Sequence, residues 1–301
     1  MPPSSSRDLT LLVDASSLIY RAFFAVPDTV RAPDGTPVNG AHGFIDMLAR
    51  LIATYSPACL ACAWDDDWRP QWRVDLIESY KAHRVAEDTE QVDDVLEKQV
   101  PVIAEVLELA GIAAIGCAGY EAEDVIGALV PHAPGPVAIV SGDRDLFQLV
   151  HDPDVWILYP RRGVSDLIVV NESYIAEKYG VPGRGYGDMA ILRGDPSDGL
   201  PGVRGIGEKT AVSLIAKYGS LEAVIEASRG ATSGPLAKVA AATDYLARAA
   251  RVVRITDEAP IDTVECAVPL RDPDPSLQDV ATRYGVSGPV ERLRAALRAL
   301  A

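Results

Sequence analysis

Val137-Ala-Ile-Val-Ser-Gly-Asp-Arg-Asp145 runs four apolar residues into a serine, a glycine and two aspartates. A short apolar run closed by glycine reads as a strand buried on both faces, and its acidic end as the loop leaving the sheet. Two other segments end in the same way. Leu9 to Val13 runs into Asp14, and Ala58 to Trp64 runs into Asp65, Asp66 and Asp67. Ile112 to Ile115 and Val155 to Tyr159 are also strand-like. Between them, His42 to Tyr55, Val92 to Ala110 and Glu121 to Val130 carry apolar residues at helical spacing. This alternation predicts an α/β fold with a mostly parallel sheet covered by helices. In such a sheet the carboxyl ends of the strands share one edge, and ligands bind there.

Two more acidic groups accompany the strand ends. Glu121, Glu123 and Asp124 open a helix, and Asp195 and Asp198 sit in the loop from Gly194 to Gly199. Each group has an ordinary explanation. Acids at a helix start are favoured by its dipole, and aspartates are common in turns and as helix caps. Five groups, three of them on one sheet edge, exceed what those explanations cover. Carboxylates packed together repel and raise each other's pKa, a cost that divalent metal ions remove. All-oxygen ligation suits magnesium. His42, His83, His132 and His151 are too scattered for a zinc site. Clustered carboxylates with two magnesium ions suit phosphodiester hydrolysis, where metals activate water and stabilise the attacking and leaving oxygens. No Ser-His-Asp or Cys-His arrangement competes.

The 301 residues are 48% apolar and 24% charged, the composition of a folded chain with a real core. Met1 to Arg7 reads as a short disordered tail. Neither a signal peptide nor a membrane-spanning run is evident, which points to the cytoplasm. The net charge of −15 disfavours nucleic acid as a partner, unless many carboxylates are held around cations. Cys59, Cys62, Cys117 and Cys266 do not read as a disulfide framework. The Cys59/Cys62 pair lies in an apolar run, so these are expected to be core thiols.

After Val181 the pattern changes to short helices joined by glycine-rich turns: Asp188 to Leu192, Glu208 to Tyr218, Leu221 to Ala227 and Pro235 to Ala250. A boundary near Val181 therefore separates residues 1–181 from a helical unit, 182–301, that ends in a loop at Asp272 to Pro275 and a helix from Val290 to Ala301. Within this unit, Gly202-Val-Arg-Gly-Ile-Gly-Glu-Lys-Thr-Ala211 places a glycine hairpin ahead of a helix start. Glycine allows close approach to a phosphate, and a helix N-terminus offers free N–H groups. Arg204, Gly205, Gly207, Lys209 and Thr210 form a helix-hairpin-helix arrangement that grips a DNA backbone without reading sequence. From Arg69 to Arg84, basic residues alternate with aromatics, as a strand-gripping element needs, although Asp75, Glu78 and Glu87 dilute the patch.

These motifs resemble the bacterial 5′-3′ exonuclease and flap endonuclease family, found as the amino-terminal domain of DNA polymerase I and as free-standing enzymes. The resemblance runs from Leu9 to about Ile255. It rests on Leu12-Val-Asp-Ala-Ser-Ser-Leu-Ile-Tyr-Arg-Ala-Phe23, on Trp72-Arg73 with Tyr80-Lys81 and Arg84, on Gly119-Tyr-Glu-Ala-Glu-Asp-Val-Ile-Gly127, on Ser141 to Leu149 and on Gly194 to Ala211. It implies a PIN-like (resolvase-like) nuclease domain, a helical arch at about 68–95 and a helical domain bearing the hairpin.

The resemblance implies two or more Mg2+ or Mn2+ ions held by Asp14, Asp65 or Asp66, Glu121, Glu123, Asp124, Asp143, Asp145, Asp195 and Asp198. It implies that Lys81 and Arg84 polarise the scissile phosphate from the arch, and that Arg21, Arg73 and Tyr80 contact DNA. It places a monovalent cation, K+, at the carbonyls of Val203 and Ile206. The implied partner is DNA with 5′ flaps, nicks or free 5′ ends, cut by a cytoplasmic, nucleoid-associated monomer in replication and repair. A PIN-class nuclease acting mainly on RNA or RNA primers is the alternative.

Three features depart from the family pattern. Glu123 stands where Asp is usual, and Gly199 follows Asp198 where Asn is usual. The Asp65-Asp66-Asp67 run gives two candidates: counting back from Trp72-Arg73 favours Asp66, and the strand boundary after Trp64 favours Asp65 if one residue is inserted before Trp72; Asp65 is preferred. With no polymerase segment after residue 301, a free-standing nuclease is the expectation.

Overall fold

Thr10–Asp14 (β1), Cys59–Ala63 (β2), Ala113–Ile115 (β3), Val137–Val140 (β4) and Val155–Pro160 (β5) pair in parallel, in the order β3-β2-β1-β4-β5. This computed structural model describes residues 8–86, 95–261, 265–268 and 273–300. The residues read as a terminal tail, the outer part of the arch (87–94), Asp272 at the start of the Asp272 to Pro275 loop and Ala301 lie outside the described residues. A sixth strand, Leu167–Val170 (β6), returns antiparallel to β5 through a tight turn closed by Arg161 N–H to the Asp166 carbonyl. Its four residues are too few to show a period in the sequence.

β1, β2 and β4 are buried along their whole length because helices cover both faces. Side-chain alternation divides the core. Leu11 and Val13 of β1 pack with Ala15–Ala25 (α1), Asn39–Tyr55 (α2) and Val100–Ala110, whereas Leu12 faces Ala122–Leu129 and the helical unit. That unit contains Gly185–Arg193, Glu208–Tyr218, Leu221–Ser228, Gly234–Ala240 and Thr243–Val253. The single helix expected from Pro235 to Ala250 is therefore two, because the backbone leaves helical geometry at Ala242. Leu277–Arg283 and Ser287–Arg298 follow. They bury Val280, Val290, Leu293 and Leu297 in the layer of α1 and α2, away from the other late helices. Among the described residues no helix is long and apolar enough to cross a membrane.

The cysteine expectation is corrected by a disulfide between Cys59 and Cys266. Residues 265–268 run beside the start of β2, with Leu60 N–H donating to the Cys266 carbonyl and Val268 N–H to the Ala58 carbonyl. That pairing joins two cysteines 207 residues apart, a juxtaposition no local pattern contains. Cys62, facing the core, stays a free thiol, and burial pushes its pKa up to about 12. Replacing both Cys59 and Cys266 with alanine is expected to lower the unfolding free energy by about 2–4 kcal/mol, since the crosslink constrains a long loop of the unfolded chain. Urea denaturation without reductant checks this, and an unchanged midpoint would show that the bond adds nothing.

Candidate active site at the sheet edge

Asp14 closes β1 and at once caps α1, accepting Ser17 N–H at 2.9 Å. Its other oxygen accepts the Ser141 hydroxyl, from the end of β4, at 2.5 Å. Burial lifts the Asp14 pKa to about 7, and the nearby charge of Asp65 adds to the rise. Asp65 leaves the end of β2, donates its backbone N–H to the Ser16 hydroxyl oxygen at 3.0 Å and accepts Ala122 N–H at 2.7 Å. Asp66 turns away. Its carboxylate lies against Gly116, where a Cβ would meet Oδ1 at 2.3 Å. The geometry thus sets Asp65, rather than Asp66, in electrostatic contact with Asp14 and Glu121.

The helix after Tyr120 opens with a reciprocal cap, in which Glu121 and Asp124 each bind the other's backbone N–H. This cap aims three carboxylates at one guanidinium. Arg73, fully buried on Gln71–Leu76 (α3), places Nη1 2.9 Å from Glu121 and Nη2 3.1 Å from Glu123 and 2.8 Å from Asp124. Its Nε and Nη1 make no aligned hydrogen bond among the described residues, so the charges, more than the bonds, hold it. Lys81 Nζ is 2.8 Å from the same Glu121, and the Tyr80 hydroxyl donates to both Glu121 oxygens at 3.0 and 3.1 Å. Burial outweighs these partners: the carboxyls of Glu121 and Asp124 lie above their ordinary range, and that of Glu123 lies well above it. Arg73 and Tyr80, expected to contact DNA, are both buried among the acids, and neither side chain faces solvent.

Beyond β4, Asp143 receives a bond from Asp145 N–H at 2.9 Å, and its own N–H binds Ser141 Oγ. Burial, then Asp143, Asp198 and Asp195, drive the Asp145 carboxyl well above its ordinary range. Arg21 lies across this turn, its guanidinium against Gly142 and 5.9 Å above the Tyr159 ring. Asp195 caps the Pro196–Asp198 turn through Ser197 N–H, and Arg193 lies 3.6 Å from it. Arg84, on His83–Ala86 (α4), pairs with Asp198 at 2.8 Å and reaches the Ser197 carbonyl.

The unusual Gly199 has a steric reason. It adopts φ +70°, and a Cβ there would meet the Ser79 carbonyl oxygen at 1.9 Å. This close approach docks the base of the arch on the loop, with Lys81 N–H bonded to the Asp198 carbonyl at 3.0 Å. Gly199→Ala is expected to cost about 1–3 kcal/mol through strain and separation of these segments, read as a lower melting temperature. An unchanged melt would mean the loop moves freely.

The hairpin stands on Val203 and Ile206, both buried, with Arg204, Gly205, Gly207 and Lys209 exposed and Thr210 half-buried. Positive φ at Gly202 and Gly205 makes the turn, and Gly207 caps the open start of Glu208–Tyr218. The Val203 carbonyl already accepts Ile206 N–H at 2.9 Å. Ser16, Ser17 and Ser141, which hold the acids, escaped the sequence reading. The serines just after Asp14 carried a capping signal; Ser141 carried none.

Among the described residues no three acids are drawn close enough to form a set that could hold a metal ion as they stand. The donor chemistry nevertheless fits a hard divalent cation: every candidate is a carboxylate, and burial, with the repulsion of neighbouring carboxylates added, raises Asp14 and Asp145.

A 5′-3′ exonuclease N-terminal, resolvase-like domain model matches residues 9–180, and a 5′-3′ exonuclease C-terminal SAM-fold model matches 181–276. The chain is 50% identical over 301 residues to a 5′-3′ exonuclease of Streptomyces coelicolor, covering 96% of this chain and 100% of that one. It is 41% identical over 220 residues to DNA polymerase I of Mycobacterium tuberculosis, covering 72% of this chain and 24% of the polymerase. The fold is shared with the bacteriophage T5 flap endonuclease, solved as a pseudo-enzyme–product complex with DNA and metal ions. The TM-score is 0.67 at 16% identity, over 97% of this chain and 98% of that one. It is also shared with the catalytic core of Rad2 in complex with DNA substrate, at TM-score 0.58 and 19% identity over 98% and 93%. With the two family models together matching residues 9–276 and a relative 50% identical over 96% of the chain, the chain belongs to the 5′-3′ exonuclease family.

Proposed function

We propose that this protein is a structure-specific 5′ nuclease that hydrolyses DNA phosphodiester bonds at 5′ flaps, nicks and free 5′ ends. The observation that carries the reading is the meeting of acids from the ends of β1, β2 and β4 with those of the Glu121 helix start and the Asp195 loop. Asp14, Asp65, Asp143, Asp145, Asp195 and Asp198 would hold divalent cations, Mg2+ or Mn2+, with Glu121, Glu123 and Asp124 as the Arg73-bound flank. When bound, such ions supply a water nucleophile and neutralise charge on the transferring phosphate.

The chain's own cations fit the same task. Lys81 and Arg84 hold positive charge at the rim of the acid basin, where a phosphate enters. Arg21 sits over the Asp143 turn from the other side. The hairpin, with exposed Arg204 and Lys209 and the open helix start at Gly207, suits a duplex backbone gripped without base contacts. A K+ ion at Val203 and Ile206 would share the Val203 carbonyl with Ile206 N–H, which its two lone pairs allow.

The test is cleavage of a labelled 5′-flap duplex in Mg2+ by the monomeric full chain. The flap is expected to be cut near the junction, with EDTA abolishing cleavage and a matched RNA flap cut more slowly. An intact DNA flap at every salt concentration, or preferred cutting of RNA, sinks the reading.

A further inference from the structure

The tip of the hairpin holds a cation from elsewhere in the chain. Lys238 lies on Gly234–Ala240, and its Nζ donates to the Gly205 carbonyl at 2.8 Å. The neighbouring Val239 is fully buried, which fixes the root of the lysine side chain. The stem then lies flat on the turn: a Cβ at Gly205 would meet Nζ at 2.8 Å, Cε at 3.4 Å and Cδ at 3.6 Å. Gly205 at φ +77° is thus required twice, for its backbone conformation and for the approach of this ammonium.

A carbonyl is neutral, so the bond leaves the lysine charge in place and two of its three donors free. Lys238 is also exposed. Several other basic groups are already engaged by carboxylates: Arg73, Lys81, Arg84, Arg193 and Arg254 are all in ion pairs. In a chain of net charge −15, an ammonium held on the hairpin beside Arg204 marks where an anion is to be met.

We propose that Lys238 is a phosphate-binding residue of the DNA interface, bridging the Gly205 carbonyl to a backbone phosphate oxygen of the duplex. The proposal rests on the reading of the hairpin as a DNA grip. Its site is built from two distant segments, which gives the hairpin a third cation that neither its own loop nor its own helix supplies. Because the contact is to a phosphate, it strengthens binding equally on every sequence.

The test compares the full-length protein with Lys238→Met, which keeps the stem, Lys238→Arg, which keeps the charge, and an Arg204→Ala, Lys209→Ala double variant. Binding to a fluorescent nicked duplex is measured in EDTA, so that nothing is cut, across a KCl titration. Lys238→Met is expected to weaken binding about fivefold near 0.1 M salt and to make the log–log salt slope shallower by about 1, as for one lost phosphate contact. Lys238→Arg restores the slope. A Lys238→Met protein with the wild-type slope overturns the proposal, and if its melting temperature falls as well, the lysine is merely a staple between helix and hairpin. If the Arg204, Lys209 variant also binds like wild type, the hairpin reading fails together with the proposal. If that variant alone weakens, the hairpin reading stands and the Lys238 proposal falls.

Discussion

Asp145→Asn is expected to remove nearly all flap cleavage, about 10²–10³-fold, while leaving DNA binding in EDTA intact and making the fold more stable. The two effects have one cause. Asp145 is half-buried, and the charges of Asp143, Asp198 and Asp195 add to its desolvation. A carboxylate held there without a cation works against folding, so a neutral isostere relieves the protein by on the order of 1 kcal/mol. The same substitution removes an oxygen charge that a divalent ion needs. The pH dependence follows in sign. The folded pKa lies above the unfolded value of 3.8, so the acid favours folding below that value, and this is lost as pH rises through the folded pKa. The advantage of Asp145→Asn in EDTA therefore grows with pH. A variant that melts lower than wild type at alkaline pH, or that cuts flaps normally, would contradict the assignment.

Arg73→Met is the second large expected effect, and it has the opposite sign on stability. The guanidinium serves Glu121, Glu123 and Asp124 at once, from a position with no solvent exposure. Removing one partner of a buried ion pair typically costs about 3–5 kcal/mol, because the other charges stay buried and uncompensated. Lys81 relieves Glu121 but, among the described residues, lies in no ion pair with Glu123 or Asp124, and a lysine at position 73 lacks the fork that reaches three acids. The three carboxyls, already raised by burial, rise further without Arg73. Unfolded glutamates titrate near 4.5, so the variant keeps most stability below that pH and loses it as pH climbs through the raised folded values. Urea denaturation at about pH 5 and about pH 8 is expected to show a deficit that widens with pH. A deficit that is constant, or absent, would show that the cluster does not depend on Arg73.

This second result bears on how the arch residues are understood. The alternation of Arg69, Trp72, Arg73, Tyr80, Lys81 and Arg84 looks in sequence like a single strand-gripping surface. Folding divides it. Arg73 and Tyr80 turn inward as scaffolding for the acids, Lys81 spans the border, and Arg84 stays 44% exposed in its side chain, the accessible member of the group. Sequence spacing could not make that division, because α3 and α4 are short and joined by a turn with Lys81 at φ +49°. Helical or strand periodicity does not run across such a break.

The strand-end acids were legible for a physical reason. A parallel sheet leaves no freedom about where its carboxyl ends lie, so apolar runs that close on Asp14, Asp65 and Asp143 had to meet on one edge. The hairpin was legible because glycines at positive φ and a helix start must follow each other in the chain. What depended on the full fold was every contact between remote segments. The Asp66 carboxylate is packed against the Gly116 backbone, Gly199 is required by the Ser79 carbonyl, and the Cys59–Cys266 bond joins a segment 207 residues downstream. Lys238 reaches Gly205 across 33 residues, from a helix whose start the sequence read as part of a longer one. Local sequence thus determined which chemistry this protein brings to its sheet edge. Tertiary packing decided which of those charges are free to meet a substrate and which are spent on one another, since charge neutralisation depends on distance in space and not along the chain.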